Sequence, residues 1–203
     1  MAALGFLTVW HPPLANTLEP RDRGASLYFF GLIGLILGGL LVFIDWLTKP
    51  WWPSAITNVL LLAALLLATG GLHFDGLLDT CDGIFAHKSP AERLQIMRDS
   101  RSGAFAVAGG VLDLLLWWAC SVDLTGAHHF GALLLMATTS RAGMVLAVTL
   151  FPYGRESGLG KDFRGFHGRW AGALNCALAL GLGYALLGPG GVVAAAAGLA
   201  SAI

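Results

Sequence analysis

Residues 54–83 read SAITNVLLLAALLLATGGLHFDGLLDTCDG, an apolar run followed directly by three carboxylates. At 1.5 Å per residue the apolar run rises roughly 27 Å as a helix, close to the roughly 30 Å hydrocarbon thickness of a bilayer. It therefore predicts a membrane-spanning helix that leads into Asp75, Asp79 and Asp82, which we call the acidic seam. Since carboxylates are costly inside a bilayer, we expect the seam at the membrane boundary, where a cation neutralises it.

The composition indicates a membrane protein. Apolar residues make up 56% of the chain and charged residues only 12%, about half the usual globular share, and the mean hydropathy is +0.72. The formal charge is balanced, with 12 basic and 12 acidic residues and no basic block. The chain is therefore expected to reside in the lipid bilayer, and nucleic acid is not expected as a partner.

Apolar runs recur along the whole chain. They cover residues 27–47, 54–72, 103–122, 130–151, 170–187 and 191–203. The first five are long enough to cross a bilayer and the sixth is short. We predict an all-α polytopic bundle, a single membrane domain over 1–203 with five full spans and a short or truncated sixth. Residues 1–26 are expected to form an interfacial segment.

The basic residues predict the orientation. One set of connections carries Arg21, Arg23, Lys88, Arg93, Arg98, Arg101, Arg155, Lys161, Arg164 and Arg169, and the alternate set carries only Lys49. This bias places the amino terminus, the acidic seam and two loops, 73–102 and 152–169, on the cytoplasmic side. His128 and His129 fall in a predicted outer loop and are expected to have no special role.

If the helix continues through residue 83, the three seam side chains lie within about 60° of arc. Gly76 and Gly83 then form a stripe without side chains about a quarter turn away, where a phosphate or another helix can approach the backbone. His73 lies nearly opposite the seam, and both a structural hydrogen bond and a role in the site remain open for it.

The first cytoplasmic loop contains its own helix signal. Ser89 and Glu92 have capping-box spacing around a proline, which predicts a helix from Pro90 to about Ser100. Its cations and hydroxyls follow the seam closely along the chain, so we expect phosphate binding there, although a solvated connector also explains the charges. The residues with this expected role are Arg93, Asp99, Ser100 and Arg101, of which Arg93, Ser100 and Arg101, together with Met97, are predicted to share one helix face.

Three more basic residues lie in unusual sequence surroundings. Arg141 interrupts an apolar run, and an arginine at that depth is functional or paired; Asp113 in the third run is a possible partner. Arg155 and Lys161 lie in the glycine-rich second loop, whose backbone and cations suit oxyanions. All three cations are candidates for substrate binding.

Carboxylates at a membrane boundary suit Mg²⁺, a hard ion that keeps water ligands and takes others from a phosphate. Such a site can neutralise a diphosphate and orient it for in-line attack, while nearby cations share the developing charge. A carboxylate not committed to metal can accept the proton of an attacking alcohol. We therefore predict Asp75, Asp79 and Asp82 as metal ligands and, with His73, as the catalytic set.

Residues 70–83, followed by RLQIMRDSRSG at 93–103, resemble the cobalamin synthase family, adenosylcobinamide-GDP ribazoletransferase. Supporting segments are FLT at 6–8, YFFGLIG at 28–34, SR at 140–141 and RESGLG at 155–160. The resemblance implies that the 5′-hydroxyl of α-ribazole, or of its 5′-phosphate, displaces GMP from adenosylcobinamide-GDP, with Mg²⁺ as cofactor, at the cell inner membrane. Other cobalamin-assembly enzymes or a second copy of the chain are open as partners.

Members of the family usually continue with a Gly-Thr-Gly-Asp-type segment and another span, whereas this sequence stops at Ile203. We expect either a chain cut short or a shortened member.

Three other protein classes share part of this sequence pattern. A CDP-alcohol phosphotransferase has similar chemistry, but its alanine-arginine pair after the first Asp-Gly and its longer acidic spacing are not present. An aspartate-rich membrane prenyltransferase is a weaker enzyme alternative. A transporter in which Asp79 and Arg141 line an ion path predicts repeated halves and a midplane acidic cluster, and the sequence has neither.

Overall fold

The computed structural model describes residues 1–11, 20–99, 101–154, 160, 163 and 169–203. Every regular element in these ranges is helical. The α-helices are α1 (Ala2–Leu7), α2 (Pro20–Ala25), α3 (Phe30–Thr48), α4 (Ser54–Ala68), α5 (Leu72–Phe85), α6 (Pro90–Ile96), α7 (Ala104–Val122), α8 (Gly126–Leu150) and α9 (Arg169–Ala200). A short 3-10 helix, Ser26–Phe29, leads into α3.

The chain divides into two compact units. The larger unit comprises Met1–Trp51 and Leu124–Ile203, and the smaller unit comprises Trp52–Asp123. The larger unit therefore contains α1 to α3, α8 and α9, and the smaller unit contains α4 to α7.

In the larger unit α3 packs directly on α8 through glycines. A Cβ placed on Gly34 would collide with the backbone of Ala137 and Thr138, and a Cβ on Gly38 would lie 2.8 Å from the Cα of Leu134. Small residues are the usual means by which apolar helices approach this closely. The absence of side chains at these two positions thus sets the separation of the two helices.

A buried asparagine joins the start of α3 to α9. The Asn175 side-chain oxygen accepts a 2.6 Å hydrogen bond from the backbone N–H of Gly31, and its amide nitrogen donates to the carbonyls of Leu27 and Ala171 at 3.0 and 2.8 Å. Asn175 is 1% exposed. Burying its amide is tolerable because both ends of the group are satisfied.

The chain reverses direction within α9. Gly188 adopts φ 63° and ψ −149°, which breaks the helix just before Pro189. Gly183 before the break and Gly191 after it bring their backbones into contact, although eight residues of straight helix would separate them by about 12 Å. The break coincides with the predicted boundary between the fifth apolar run and the short sixth one.

The prediction of an all-α, multi-pass membrane protein is confirmed at the level of helix length and composition. Among the residues that the structure describes, four helical stretches are long and apolar enough to cross a membrane, and the bent pair α4 and α5 would make a fifth. The four stretches are Arg23–Thr48, Ala104–Val122, Gly126–Leu150 and Trp170–Ala200. The exact number of spans and the side of the amino terminus stay predictions.

In the smaller unit the helix does not continue from the apolar run into the acidic seam. Gly70 and Gly71 both have positive φ, 61° and 69°, and α5 is bent by 91° from α4. Two successive left-handed residues cannot continue a right-handed helix, and glycine adopts them without a Cβ penalty. The expectation of one continuous helix was wrong, but all three seam aspartates lie on α5.

Candidate active site on the bent helix

One face of α5 packs on α7. The bare backbone of Gly109 receives the side chain of Cys81, and a Cβ on Gly110 would lie 2.7 Å from Leu78 and 3.1 Å from Phe74. At 100° of rotation per residue, the face formed by Phe74, Leu78 and Cys81 lies about a quarter turn around the helix from Asp75. The packing therefore orients the acidic seam along the edge of the α5–α7 pair.

Asp82 at the end of the seam accepts two backbone hydrogen bonds at the start of α7. Its Oδ2 accepts the N–H of Gly103 at 2.6 Å, and its Oδ1 accepts the N–H of Ala106 at 2.8 Å. The first N–H groups of a helix have no partner within the helix, and a negative charge is favourable at that end. Asp82 therefore ties α5 to the amino end of α7.

Asp75 and Asp79 are arranged differently. Asp75 is exposed and Asp79 is partly exposed, and they lie one helical turn apart. At that spacing their Cβ atoms are about 6 Å apart. A Cβ on the neighbouring Gly76 would meet nothing within 4 Å, so the backbone beside the two acids is open. We call Asp75, Asp79 and Gly76 the open strip.

The two glycines of the predicted stripe have different surroundings. Gly83 is buried, and a Cβ there would lie 2.8 Å from Cγ and 2.9 Å from Cε of Met97. The backbone at Gly83 is thus covered by the segment that follows α6, whereas Gly76 remains accessible. The sequence predicted that a helix or a phosphate could approach these glycines. The protein chain itself covers Gly83, and Gly76 stays open to a phosphate.

The described residues contain no group of three or more His, Cys, Asp or Glu side chains arranged to hold a metal ion. The seam is therefore not a ready three-carboxylate cage. Mg²⁺ usually takes only one or two protein carboxylates and completes its shell with water and substrate phosphate. Asp75 and Asp79 fit that pattern, and Mg²⁺ binding stays a prediction.

The loop helix α6 begins as predicted. Ser89 and Glu92 form the capping box: the Glu92 N–H donates to the Ser89 Oγ at 3.4 Å, and the Ser89 N–H donates to the Glu92 Oε2 at 3.0 Å. The hydrogen bonds from Ser89 lower the pKa of Glu92. However, α6 ends at Ile96 instead of near Ser100, because a tight turn follows. Arg93 and Met97 still lie one helical turn apart, as predicted, because the Met97 N–H bonds to the Arg93 carbonyl. Arg101 lies beyond the helix, so the prediction that it shares their helix face is wrong, and Ser100 lies outside the described residues.

Asp99 and Arg101 form an ion pair beyond that turn. The Arg101 Nη2 and Nε donate to Asp99 at 2.8 and 3.1 Å, and the side chain of Arg101 is still 86% exposed. The hydrogen bonds from Arg101 lower the pKa of Asp99 to about 2, and the pair raises the pKa of Arg101. Arg93, on α6, instead donates its Nε to the carbonyl of Lys88 at 2.8 Å.

The remaining predicted site residues are not part of the open strip. Arg141, on α8 of the larger unit, is 5% exposed and donates from Nη1 to Ser140 Oγ at 2.8 Å. Asp113 belongs to the smaller unit, so its pairing with Arg141 stays a prediction. His73 is partly buried on α5. Ser100, Arg155 and Lys161 lie outside the described residues.

A family model described as cobalamin-5-phosphate synthase matches residues 1–203. The chain belongs to the cobalamin-5-phosphate synthase family. Relatives named adenosylcobinamide-GDP ribazoletransferase include that of Acetivibrio thermocellus, 40% identical over 79% of this chain and 65% of the relative. Those of Geotalea daltonii and Klebsiella pneumoniae are 37% and 35% identical, each over 96% of this chain and over 78% and 80% of the relative. No solved structure matches.

The chain spans just under two thirds of the Acetivibrio thermocellus relative. The match to the family model over residues 1–203 confirms the resemblance that the residues around the acidic seam indicated.

This family member also has a buried pair that the sequence did not suggest. His129 Nε2 lies 3.1 Å from Asp45 Oδ1, and the two residues are 4% and 2% exposed. The prediction that His129 lies in an outer loop was wrong, because α8 already begins at Gly126. An aspartate inside the first apolar run was the available signal, but its partner is 84 residues away along the chain.

Proposed function

We propose that this member of the cobalamin-5-phosphate synthase family transfers the cobinamide-phosphate group of adenosylcobinamide-GDP to the 5′-hydroxyl of α-ribazole or its 5′-phosphate. GMP is released, and adenosylcobalamin or its 5′-phosphate is formed. The observation that carries the proposal is the open strip, which places two carboxylates beside accessible backbone in a chain whose relatives are named for this reaction.

In the proposed reaction the 5′-oxygen forms a bond to the phosphorus nearer cobinamide, and the bond from that phosphorus to the GMP oxygen breaks. Bound Mg²⁺ would supply charge neutralisation of the diphosphate, and Asp75 and Asp79 are the residues that would hold it. The open backbone at Gly76 gives a phosphate room to approach them. Positioning and electrostatics carry most of the rate in this type of transfer.

Cations of the first loop complete the proposed site. Arg101 is held on one side by Asp99 and is otherwise exposed, so its remaining N–H groups can donate to phosphate oxygens. Whichever of Asp75 and Asp79 is not fully committed to the metal accepts the proton of the attacking hydroxyl. His73 is kept as an alternative for that proton transfer, and Arg93, Arg141, Arg155 and Lys161 are kept as further phosphate contacts.

We further propose that the protein is a multi-pass protein of the cell inner membrane with its amino terminus and site in the cytoplasm. The support is the strong bias of basic residues to alternate connections. Reporter fusions after Lys49 and after Ser102 test this orientation: the first should report the outer side and the second the cytoplasmic side. The reverse result would contradict the proposal.

Purified membranes containing the protein test the activity. They should form GMP from adenosylcobinamide-GDP and α-ribazole only when Mg²⁺ is supplied. Omitting α-ribazole controls for simple hydrolysis, and membranes with Asp79→Asn control for other enzymes. GMP formation without α-ribazole, or equal formation after complete chelation, would contradict the proposed transfer.

A further inference from the structure

Asp82 differs in its surroundings from the other seam carboxylates, and only the catalytic consequence of that difference rests on the proposed function. Three seam carboxylates were expected to act together, yet their environments differ. Asp75 is exposed beside open backbone, whereas the two oxygens of Asp82 accept the N–H groups of Gly103 and Ala106 at the start of α7. We propose that Asp82 is a positioning residue, which clasps the amino end of α7 and fixes the returning end of the first cytoplasmic loop, and is not a ligand of Mg²⁺.

The geometry of the clasp matches a helix cap supplied from another helix. Gly103 is the residue just before α7, and as a glycine it has no side chain to accept the free N–H groups there. Each oxygen of the Asp82 carboxylate accepts one backbone N–H group, and the negative charge also complements the positive helix end. Moving it toward a metal would leave both N–H groups without these bonds.

Gly103 provides independent support for a tight clasp. Its φ of −84° is an ordinary value that any residue adopts, so backbone conformation does not require glycine here. A Cβ on Gly103 would lie 2.7 Å from Oδ1 and 3.0 Å from Cγ of Asp82. The reason for glycine is therefore the close approach of the Asp82 carboxylate.

The clasp also determines where the loop ends. Arg101 lies two residues before Gly103, and Met97 covers Gly83, the residue next to Asp82. The loop therefore contacts α5 at Met97 and again at Gly103. The second contact, made by Asp82, is the one closer along the chain to the exposed Arg101. Loss of the clasp should release the segment that carries Arg101 without removing a metal ligand.

Hydrogen–deuterium exchange on the full chain in detergent, without Mg²⁺, tests the clasp directly. In Asp82→Ala the amides of Gly103 and Ala106 should exchange about tenfold faster or more, since a charge-assisted hydrogen bond is lost at each. Asp82→Asn keeps one acceptor oxygen and should show a smaller increase. Asp75→Ala, on the same helix, should leave these amides unchanged. Unchanged exchange in Asp82→Ala, or an equal increase in Asp75→Ala, would overturn the proposal.

The Mg²⁺ dependence of GMP formation separates positioning from ligation. Asp82→Asn should lower the maximal rate but keep the half-saturating Mg²⁺ concentration within about twofold, whereas Asp79→Asn should raise it at least tenfold or abolish activity. Gly103→Ala should resemble Asp82→Asn, and Ser102→Ala should not. A large shift in Mg²⁺ dependence for Asp82→Asn assigns Asp82 to the metal. If the unaltered protein forms no GMP, the proposed function fails, while the exchange experiment still decides the clasp.

Discussion

Asp99 holds Arg101 by three hydrogen bonds just before α7. Two come from the guanidinium, at 2.8 and 3.1 Å, and one from the backbone N–H of Arg101, at 3.1 Å. The arrangement fixes the direction of a cation whose side chain is otherwise open to solvent. Arg98 lies three residues earlier, in the turn that follows α6, and is exposed as well. These two arginines therefore form a matched pair of loop cations.

Arg101→Ala is expected to raise the KM for adenosylcobinamide-GDP about tenfold, because the diphosphate loses one charge-assisted contact. Arg98→Ala is the control and should change that KM less than twofold. Steady-state GMP release with saturating α-ribazole measures both. Equal effects of the two variants would indicate general attraction to a basic loop instead of a specific contact.

The pKa of Asp99 predicts how the pair depends on pH. Its pKa is lowered to about 2 from an ordinary value of 3.8, chiefly by the hydrogen bonds from Arg101. The stabilisation from this carboxylate is therefore present above pH 4 and is lost as the pH falls toward 2. We expect Asp99→Asn to leave the acidic limb of the pH–rate profile in place while lowering the rate at every pH. A shift of that limb would show that Asp99 titrates within the pH range of activity, which would contradict a pair that stays ionised above pH 4.

Asp79→Asn is expected to abolish transfer while the protein still inserts into the membrane. The change removes a charged oxygen ligand but keeps the size of the side chain, and Asp79 is not deeply buried. GMP formation per unit of inserted protein measures the loss. Asp123→Asn, an exposed change beyond the end of α7, is the control. Full activity in Asp79→Asn would reject its role as a metal ligand.

Local sequence patterns were sufficient to predict much of this molecule. Apolar run length located the long helices, and capping-box spacing located the start of α6 at Pro90. The break at Gly70 and Gly71 was missed because a pair of glycines is compatible with both a helix and a turn, and only the backbone angles distinguish them.

Contacts distant along the chain were also missed. Asp82 finds its N–H partners 21 and 24 residues away, and the spacing of the seam acids contains no signal for that. Helical periodicity correctly placed three acids on one edge of α5. It could not show that α7 begins beside one of them, which divides the predicted trio into two roles.

Arg141→Met tests whether the buried arginine serves the reaction. The variant keeps an unbranched apolar stem of similar reach and removes the charge, so no charged group is left buried at this position. We expect activity per inserted protein to fall much more than the amount of protein in the membrane. Immunoblotting and GMP formation on the same membranes give the two quantities.

A failure of Arg141→Met to accumulate would favour a structural pairing with Asp113. In that case Asp113→Asn should also fail to accumulate, and the double variant should recover, because removing both charges leaves neither one unpaired. Normal accumulation of Asp113→Asn together with low activity of Arg141→Met would exclude the pairing.

The pair of His129 and Asp45 predicts a loss of stability away from the acidic seam. His129→Gln disturbs a buried polar contact between α3 and α8, which should lower the free energy of unfolding by about 1–3 kcal/mol. His128→Gln is a matched control, since the adjacent His128 is exposed. Thermal unfolding in detergent should show a clearly lower midpoint only for His129→Gln. Combining His129→Gln with Asp45→Asn should give less than the sum of the two separate losses, because the residues share one interaction; strict additivity would show that they are not coupled.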